Sequence, residues 1–469
     1  MRPRKGNTLL KYDLNHKLIA NKSLNLKYKD EKIYLDKIIK TQNGTFGYMF
    51  DYNKKQKKWQ IFSSRFNEGK FSRPRLTYSH PYKHSVMLGL GIFGGGGNAD
   101  NTNEMVVSMD DSHVGYSNVI SSKDKKEPEK IAVAVFDADM KKVWSKMQKF
   151  KYTDKKIVIA QTVVSNDGVI YLLGKLFTKK KQKAKGLPRF DFKLFRITKE
   201  SMDEFDIKLG KPNIAPTDAG LFFPGDNTSE FIISGFYTDA EKRSGLKGMF
   251  FSTGDNSKGI DNVQIHDFDD EFLMGIASKK DIEKDRGLKT SFNIENLLSF
   301  SDGTVGFIAE QFFITTSTTR DSRGNTRTTY TYHTNSLIIP RFTMDGELVS
   351  LQKIPKTFRS QSMANVSYTF ALANNKTYLI FNDMKTRKER KDMKKEDGGK
   401  KKKARYIYTD LIVLNNNGEI EYNETLFNSK ELGLLFVPFM SDFDGDKFLI
   451  GALRGTAGKK YSFGVLDLK

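Results

Sequence analysis

The chain has 469 residues, of which 38% are hydrophobic, 29% charged and 12% aromatic. It contains no cysteine, which excludes disulfides, thiolate metal sites and a cysteine nucleophile. Lys and Arg number 78 against 56 Asp and Glu, a formal charge of +22, and no stretch approaches the length of apolar residues that a membrane-spanning helix needs.

The chain opens on Met1-Arg2-Pro3-Arg4-Lys5-Gly6, a basic start with no apolar segment behind it, so no secretory signal is expected there. Residues 9–19 read as a turn with a strand-like arm. From there one short unit keeps returning. Val164-Ser165-Asn166-Asp167-Gly168-Val169-Ile170 is its clearest form: β-formers flank a turn that Asn, Asp and Gly close at low steric cost. Similar turns stand at Asn43-Gly44, at 109–113, at Asp226-Asn227, at Asp302-Gly303, at Asn374-Asn375 and at Asp444-Gly445-Asp446. Their spacing is roughly 60–75 residues.

A second kind of turn alternates with the first. It is read at Asn67-Glu68-Gly69, Asp137-Ala138-Asp139, Thr198-Lys199-Glu200, Thr253-Gly254-Asp255, Met344-Asp345-Gly346 and Asn415-Asn416-Asn417-Gly418. Each repeat then holds four strands, and four antiparallel strands repeated in series make the blade of a β-propeller. The expectation is an all-β, single-domain propeller over residues 1–469 with seven four-stranded blades, six or eight being the alternatives. Residues 443–468 supply only three strands of a last blade. Residues 9–25 are therefore expected to pair with 461–468 and close the ring, which would shield a free edge.

The run Ile131-Ala-Val-Ala-Val-Phe-Asp-Ala-Asp-Met-Lys-Lys-Val-Trp-Ser145, with Tyr152-Thr-Asp154 and Asp167-Gly-Val-Ile-Tyr-Leu-Leu-Gly174, resembles a family of uncharacterised propeller-like proteins of the Bacteroidota. The Thr/Tyr-rich stretch 315–334, with Arg320-Asp-Ser-Arg-Gly-Asn325, shares the likeness. The resemblance implies the fold and a periplasmic or secreted location; without a signal the alternative is the cytoplasm. It implies no reaction.

Candidate chemistry is sparse. Asp442, Asp444 and Asp446 alternate around a glycine turn and could wrap Ca²⁺, though the bidentate Glu of an EF-hand is missing and a solvated acidic turn is the plainer reading. His266-Asp267-Phe268-Asp269-Asp270-Glu271 joins an imidazole to carboxylates; Asp269 reads better as the N-cap of a helix over 270–282. The run Gly94–Gly97 lacks the Lys and helix of a phosphate loop and reads as a connection. No hydrolase or zincin signature occurs.

Residues 310–337 read as a long hairpin: a projecting docking ribbon or an edge for strand addition, or else an arm folded over its own propeller face. The charge gathers in loops, above all 179–189 and the insertion 385–405. In a propeller the loops joining second to third strands share one face. Here those loops carry Lys179, Lys180, Lys181, Arg320, Arg323, Arg327, Lys400, Lys401, Lys402 and Lys403. Such a face would attract an acidic protein, an anionic glycan or lipid headgroups. Nucleic acid is the weaker candidate, because aromatics do not interleave the charges. The expected function is that of a monomeric, non-enzymatic binding or scaffold protein. The alternatives are a component of an envelope or secretion assembly and a metal-dependent sugar- or peptide-binding protein or enzyme with a site at the central channel.

Overall fold

A computed structural model describes residues 8–12, 18–82, 103–120, 127–153, 155–178, 187–224, 230–240, 245–255, 259–274, 276–290, 292–322, 324–384, 407–454 and 460–468. Their contacts divide the chain into two compact units, Met1–Ile265 and His266–Lys469.

The first unit begins with two ribbons, Thr8–Tyr12 with Leu18–Ser23 and Lys27–Tyr28 with Glu31–Lys32. Sheet A follows, with Leu35–Thr41, Gly44–Asn53 and Lys58–Asn67 in order and the short strands Lys70–Phe71 and Arg75–Pro81 on its last edge. Sheets B, C and D are consecutive four-stranded antiparallel meanders beginning at Asn103, Lys155 and Ile214. In the second unit two short helices, α1 (Asp270–Leu273) and α2 (Lys279–Glu283), precede sheets E and F, which are again four-stranded meanders and begin at Phe292 and Tyr368. In sheet G, Leu434–Phe436 and Asp442–Asp444 pair with Lys447–Arg454, which also pairs Lys460–Asp467.

The hydrophobic pattern explains why the sheets stack. Residues Ile170 to Leu173 in sheet C are all fully buried. Side chains alternate along a strand, so such a run needs apolar neighbours on both faces. Ile170 and Leu172 pack with Val133 and Val135 of sheet B, while Tyr171 and Leu173 pack with Leu221 and Phe231 of sheet D. Each such side chain contributes about 1.5–3 kcal/mol of transfer free energy. In the second unit Leu337 and Ile339 of sheet E meet Leu379 and Phe381 of sheet F, and Tyr378 and Ile380 of sheet F meet Phe448 of sheet G.

The first strands of four sheets carry a bulge at the same place. The unpaired residues are Asp36 in sheet A, Ala160 in C, Thr217 in D and Glu295 in E. A bulge re-aims the side chains around it. The residue after each bulge reaches a neighbouring sheet: Lys37 Nζ donates to Met105 O at 3.2 Å, Lys175 Nζ donates to Asp218 at 2.8 Å, and Asn296 Nδ2 donates to the Tyr368 hydroxyl at 2.8 Å. Gln161 makes two bonds with Leu221, donating to its carbonyl and accepting from its N–H, both at 2.8 Å.

The structure corrects the sequence reading in three places. Within residues 9–25, expected to pair with 461–468, the pairing among the described residues is that of Thr8–Tyr12 with Leu18–Ser23. A hairpin partner so close in sequence costs little loop-closure entropy, which favours it over a distant edge. Thr253-Gly254-Asp255 is not a turn but the end of the strand Gly248–Asp255, where Gly254 pairs with Phe231. Counted with the two ribbons, the sheets outnumber the seven repeats. The turns at 43–44, 166–168, 302–303 and 374–375 stand where expected, with Gly168 and Gly303 at positive φ and Asn374 and Asn375 at φ 51° and 59°. The turn at Asp226 and the glycine run at 94–97 lie outside the described residues.

Candidate functional site

The two middle strands of sheet E outgrow their neighbours. Val305–Arg320 has 16 residues and Thr326–Phe342 has 17, against eight in Phe292–Ser299. The first strand of the sheet pairs no further than Gln311, and the fourth strand ends where Ser360 meets Tyr332. Beyond that line the two arms pair only with each other, from Thr315 opposite Thr331 to Arg320 opposite Thr326.

This is a ribbon in solvent. Residues 313–322 are exposed, with Phe313 at 38%, Ile314 at 41% and Tyr330 at 53%. The expected hairpin 310–337 is thereby trimmed: Glu310 and Leu337 are fully buried in the sheet, and the projection spans 313–331. β-branched residues stiffen arms that have no core to pack on. One face carries Ile314, Thr316, Thr318 and Arg320 beside Tyr332, Tyr330, Thr328 and Thr326; the other carries Phe313, Thr315, Ser317 and Thr319 beside His333, Thr331, Thr329 and Arg327. Phe313 stacks on His333 at 4.5 Å, and Thr315 Oγ1 lies 2.9 Å from His333 Nε2. Burial, with Arg359 nearby, holds that imidazole below its ordinary pKa. At the base, Phe312, Phe358 and Val366 form a buried cluster against which Tyr332 packs.

The tip is a closed turn. Asp321 N–H donates to Asn325 O and Gly324 N–H to Asp321 O, both at 3.0 Å, with Gly324 at φ 83°. Both Asp321 carboxylate oxygens accept from Asn325, at 2.8 and 3.0 Å. The acid of the tip is thus spent on the turn. Arg320 Nε donates to Gly324 O at 3.3 Å, and the Arg327 side chain has no partner among the described residues.

A second constellation lies inside the same unit and was not foreseen. Lys356 and Glu310, both fully buried, form an ion pair through Nζ and Oε1. Lys356 Nζ also donates to Ser367 O at 2.9 Å, and Ser367 Oγ donates to Glu295 Oε2 at 2.8 Å. Ser367 sits at φ 76°, which turns its carbonyl and hydroxyl to their two partners. Burial and the charge of Glu310 push the Glu295 carboxyl up to about 7. Burial also raises Glu310, against the pull of Lys356. Chemically this is a poised acid beside a closed ion pair. Its members come from four separate strands and turns, so no sequence spacing marks it.

The remaining expected residues are dispersed. Asp442 is exposed and its Oδ1 accepts from Phe443 N at 2.9 Å; Asp446 is exposed on the turn, and the Asp444 side chain lies outside the described residues. Among the described residues no three His, Asp or Glu gather to hold a metal ion. Asp269 caps α1, accepting from Phe272 N at 2.6 Å, and His266 Nε2 lies 2.8 Å from Gly346 O. Two short helices replace the single one expected over 270–282. Lys179, Lys180, Lys181, Arg323, Lys400, Lys401, Lys402 and Lys403 lie outside the described residues. Among the described residues no helix is long and apolar enough to cross a membrane.

No family model and no curated protein matches the chain. Solved structures give distant likenesses. The β-propeller domain of the Trilobed protease from Pyrococcus furiosus is 9% identical, with 93% of this chain and 98% of that one covered at a TM-score of 0.38. The polysaccharide lyase Uly1 is 11% identical, with coverage of 96% and 93% and a TM-score of 0.40. A protein of unknown function from Dyadobacter fermentans is 9% identical, with coverage of 76% and 93% and a TM-score of 0.33.

Proposed function

We propose that this protein is a non-enzymatic binding or scaffold protein, and that the projecting ribbon of sheet E is its docking element for an anionic partner. One observation carries the reading: residues 313–322 stand exposed on both faces, with exposed aromatic and aliphatic side chains near the base and guanidinium groups at the tip. An unsupported ribbon of this length has no packing reason to exist, and exposed apolar residues rimmed by charge mark interaction surfaces. The basic loops at 179–181 and 400–403 add to the attraction, and an acidic protein, an anionic glycan or lipid headgroups are the partner classes.

The architecture belongs to the same proposal. The successive sheets are read as blades of one propeller over residues 1–469; averaged electron micrographs that show a two-lobed particle would overturn it. The resemblance to the Bacteroidota family supports a location in the periplasm or outside the cell, as part of an envelope assembly, to be read by fractionation of native cells. The enzyme alternative draws on Glu295; against it, Lys356 and Glu310 are paired with each other in the buried core, out of reach of a substrate.

The test is retention on heparin and on phosphatidylserine vesicles. Replacing residues 314–331 by Asn-Gly should lower retention strongly, and the Lys400, Lys401, Lys402 and Lys403→Glu reversal should lower it further, both effects shrinking with salt. Retention that ignores the ribbon deletion would overturn the ribbon as the docking element.

A further inference from the structure

Resting on the ribbon as the docking element, we infer that it binds by strand addition: an extended acidic segment of the partner pairs antiparallel with the outer edge of residues 314–320. The hydrogen-bond geometry selects the edge. Asp321 N–H points inward to Asn325 O, and the register from there to Ile314 is regular. Backbone groups alternate sides along a strand. The N–H and C=O of Arg320, Thr318, Thr316 and Ile314 therefore face away from the second arm, and they have no partner among the described residues. The second arm offers a shorter edge, of Thr326, Thr328 and Tyr330, because Tyr332 is already taken by Ser360.

Sheet edges are ordinarily guarded by Lys, Pro, a bulge or an inward charge. Phe313-Ile314-Thr315-Thr316-Ser317-Thr318-Thr319 has none of these. It is a straight, β-branched edge held away from its sheet, the geometry that strand-adding recognition uses.

Charge decides the occupant. Two copies of this edge pairing antiparallel about Ser317 would set Arg320 against Ile314 and leave both guanidiniums without a carboxylate, on bodies that each carry +22. An acidic segment supplies what is missing. Because it runs antiparallel, its N-terminal end lies beside Arg320, where a carboxylate can accept two guanidinium N–H bonds. Its C-terminal end lies beside Ile314, where a β-branched residue makes a favourable cross-strand pair.

The probe is the peptide Glu-Glu-Glu-Val-Thr-Val-Thr-Val, dye-labelled at its C-terminus and titrated with the full chain by fluorescence anisotropy. Thr316→Pro and Thr318→Pro each remove one outward N–H and leave the pairing of the two arms intact. Each should weaken binding about tenfold or more with Tm unchanged, while Thr328→Pro on the other edge should change it less than about twofold. Arg320→Ala should weaken binding and flatten its salt dependence, and the reversed peptide should bind less tightly. Wild-type affinity in both Thr316→Pro and Thr318→Pro would overturn strand addition. If those variants bind the peptide normally while Arg320→Ala/Arg327→Ala abolishes retention on heparin, strand addition falls and the docking ribbon stands. If retention is also indifferent to the ribbon deletion, the docking reading falls with it.

Discussion

Sheets C and D are tied at their first strands by an amide alone; sheet E carries the matching amide tie, Asn296 to the Tyr368 hydroxyl of sheet F, and beside it a buried ionic network. In the first unit the residue after the bulge, Gln161, satisfies both backbone groups of Leu221 at 2.8 Å. In the second unit the bulged residue is Glu295, and it and the Lys356–Glu310 pair, all in sheet E, bond to Ser367, the residue that leads into sheet F. The backbone device is the same in both. The amide solves a local hydrogen-bond requirement without charge, and it does not titrate. The ionic tie buries charges that must find partners, so it is costlier to break and sensitive to pH.

The comparison can be broken most sharply at Lys356. Lys356→Met leaves Glu310 buried without its counter-charge, and unfolding in urea should show a loss of about 3–5 kcal/mol. Adding Glu310→Leu should recover most of that loss; a double variant as unstable as the single one would contradict the ion-pair account. The amide tie is worth less. Gln161→Leu strands two backbone groups of Leu221 and should cost about 1–3 kcal/mol, with no change between pH 5 and pH 8.

Glu295 sharpens the contrast through pH. Its folded pKa of about 7 lies above the unfolded value, so the folded state holds an extra proton between the two. That contribution is present in full below the unfolded pKa, near 4.5, and is lost as pH rises toward 7. Glu295→Gln should therefore match the wild type near pH 4.5 and exceed it by about 1–2 kcal/mol above pH 7, the figure reduced for its partial exposure. A stability difference that is flat with pH would remove Glu295 from the ionic tie. The smallest effect belongs to the ribbon: deleting 314–331 should change stability by no more than about 0.5 kcal/mol, since those residues bury little.

Local chemistry was the legible part. Asn374-Asn375, Gly168 and Gly303 announce their turns because positive φ admits few residue types, and the alternating Thr and Tyr of 315–332 announce a ribbon. Asp269 announces its helix because a cap acts within one turn. Pairing partners were harder to read. Residues 9–25 have an arm that suits any edge, and composition does not say that the nearest one wins. The bulges were invisible, because Asp36, Ala160, Thr217 and Glu295 share a place in the register and no chemistry. The Glu295 network was invisible for a related reason: its residues meet only after three strands of sheet E have come together and Ser367 has turned back onto them.

The ribbon is also a spacer. At about 3.3 Å per residue, the arm from Ile314 to Arg320 carries the guanidinium end roughly 20 Å beyond the edge of its sheet. A partner held there stands clear of the sheet that holds it, so a recessed or crowded target stays within reach. The same length makes the ribbon a lever: a tilt of about 5° at the base moves the tip by roughly 2 Å. The packing of Phe312, Phe358, Val366 and Tyr332 at that base thus sets how wide an arc the tip sweeps in search of its target.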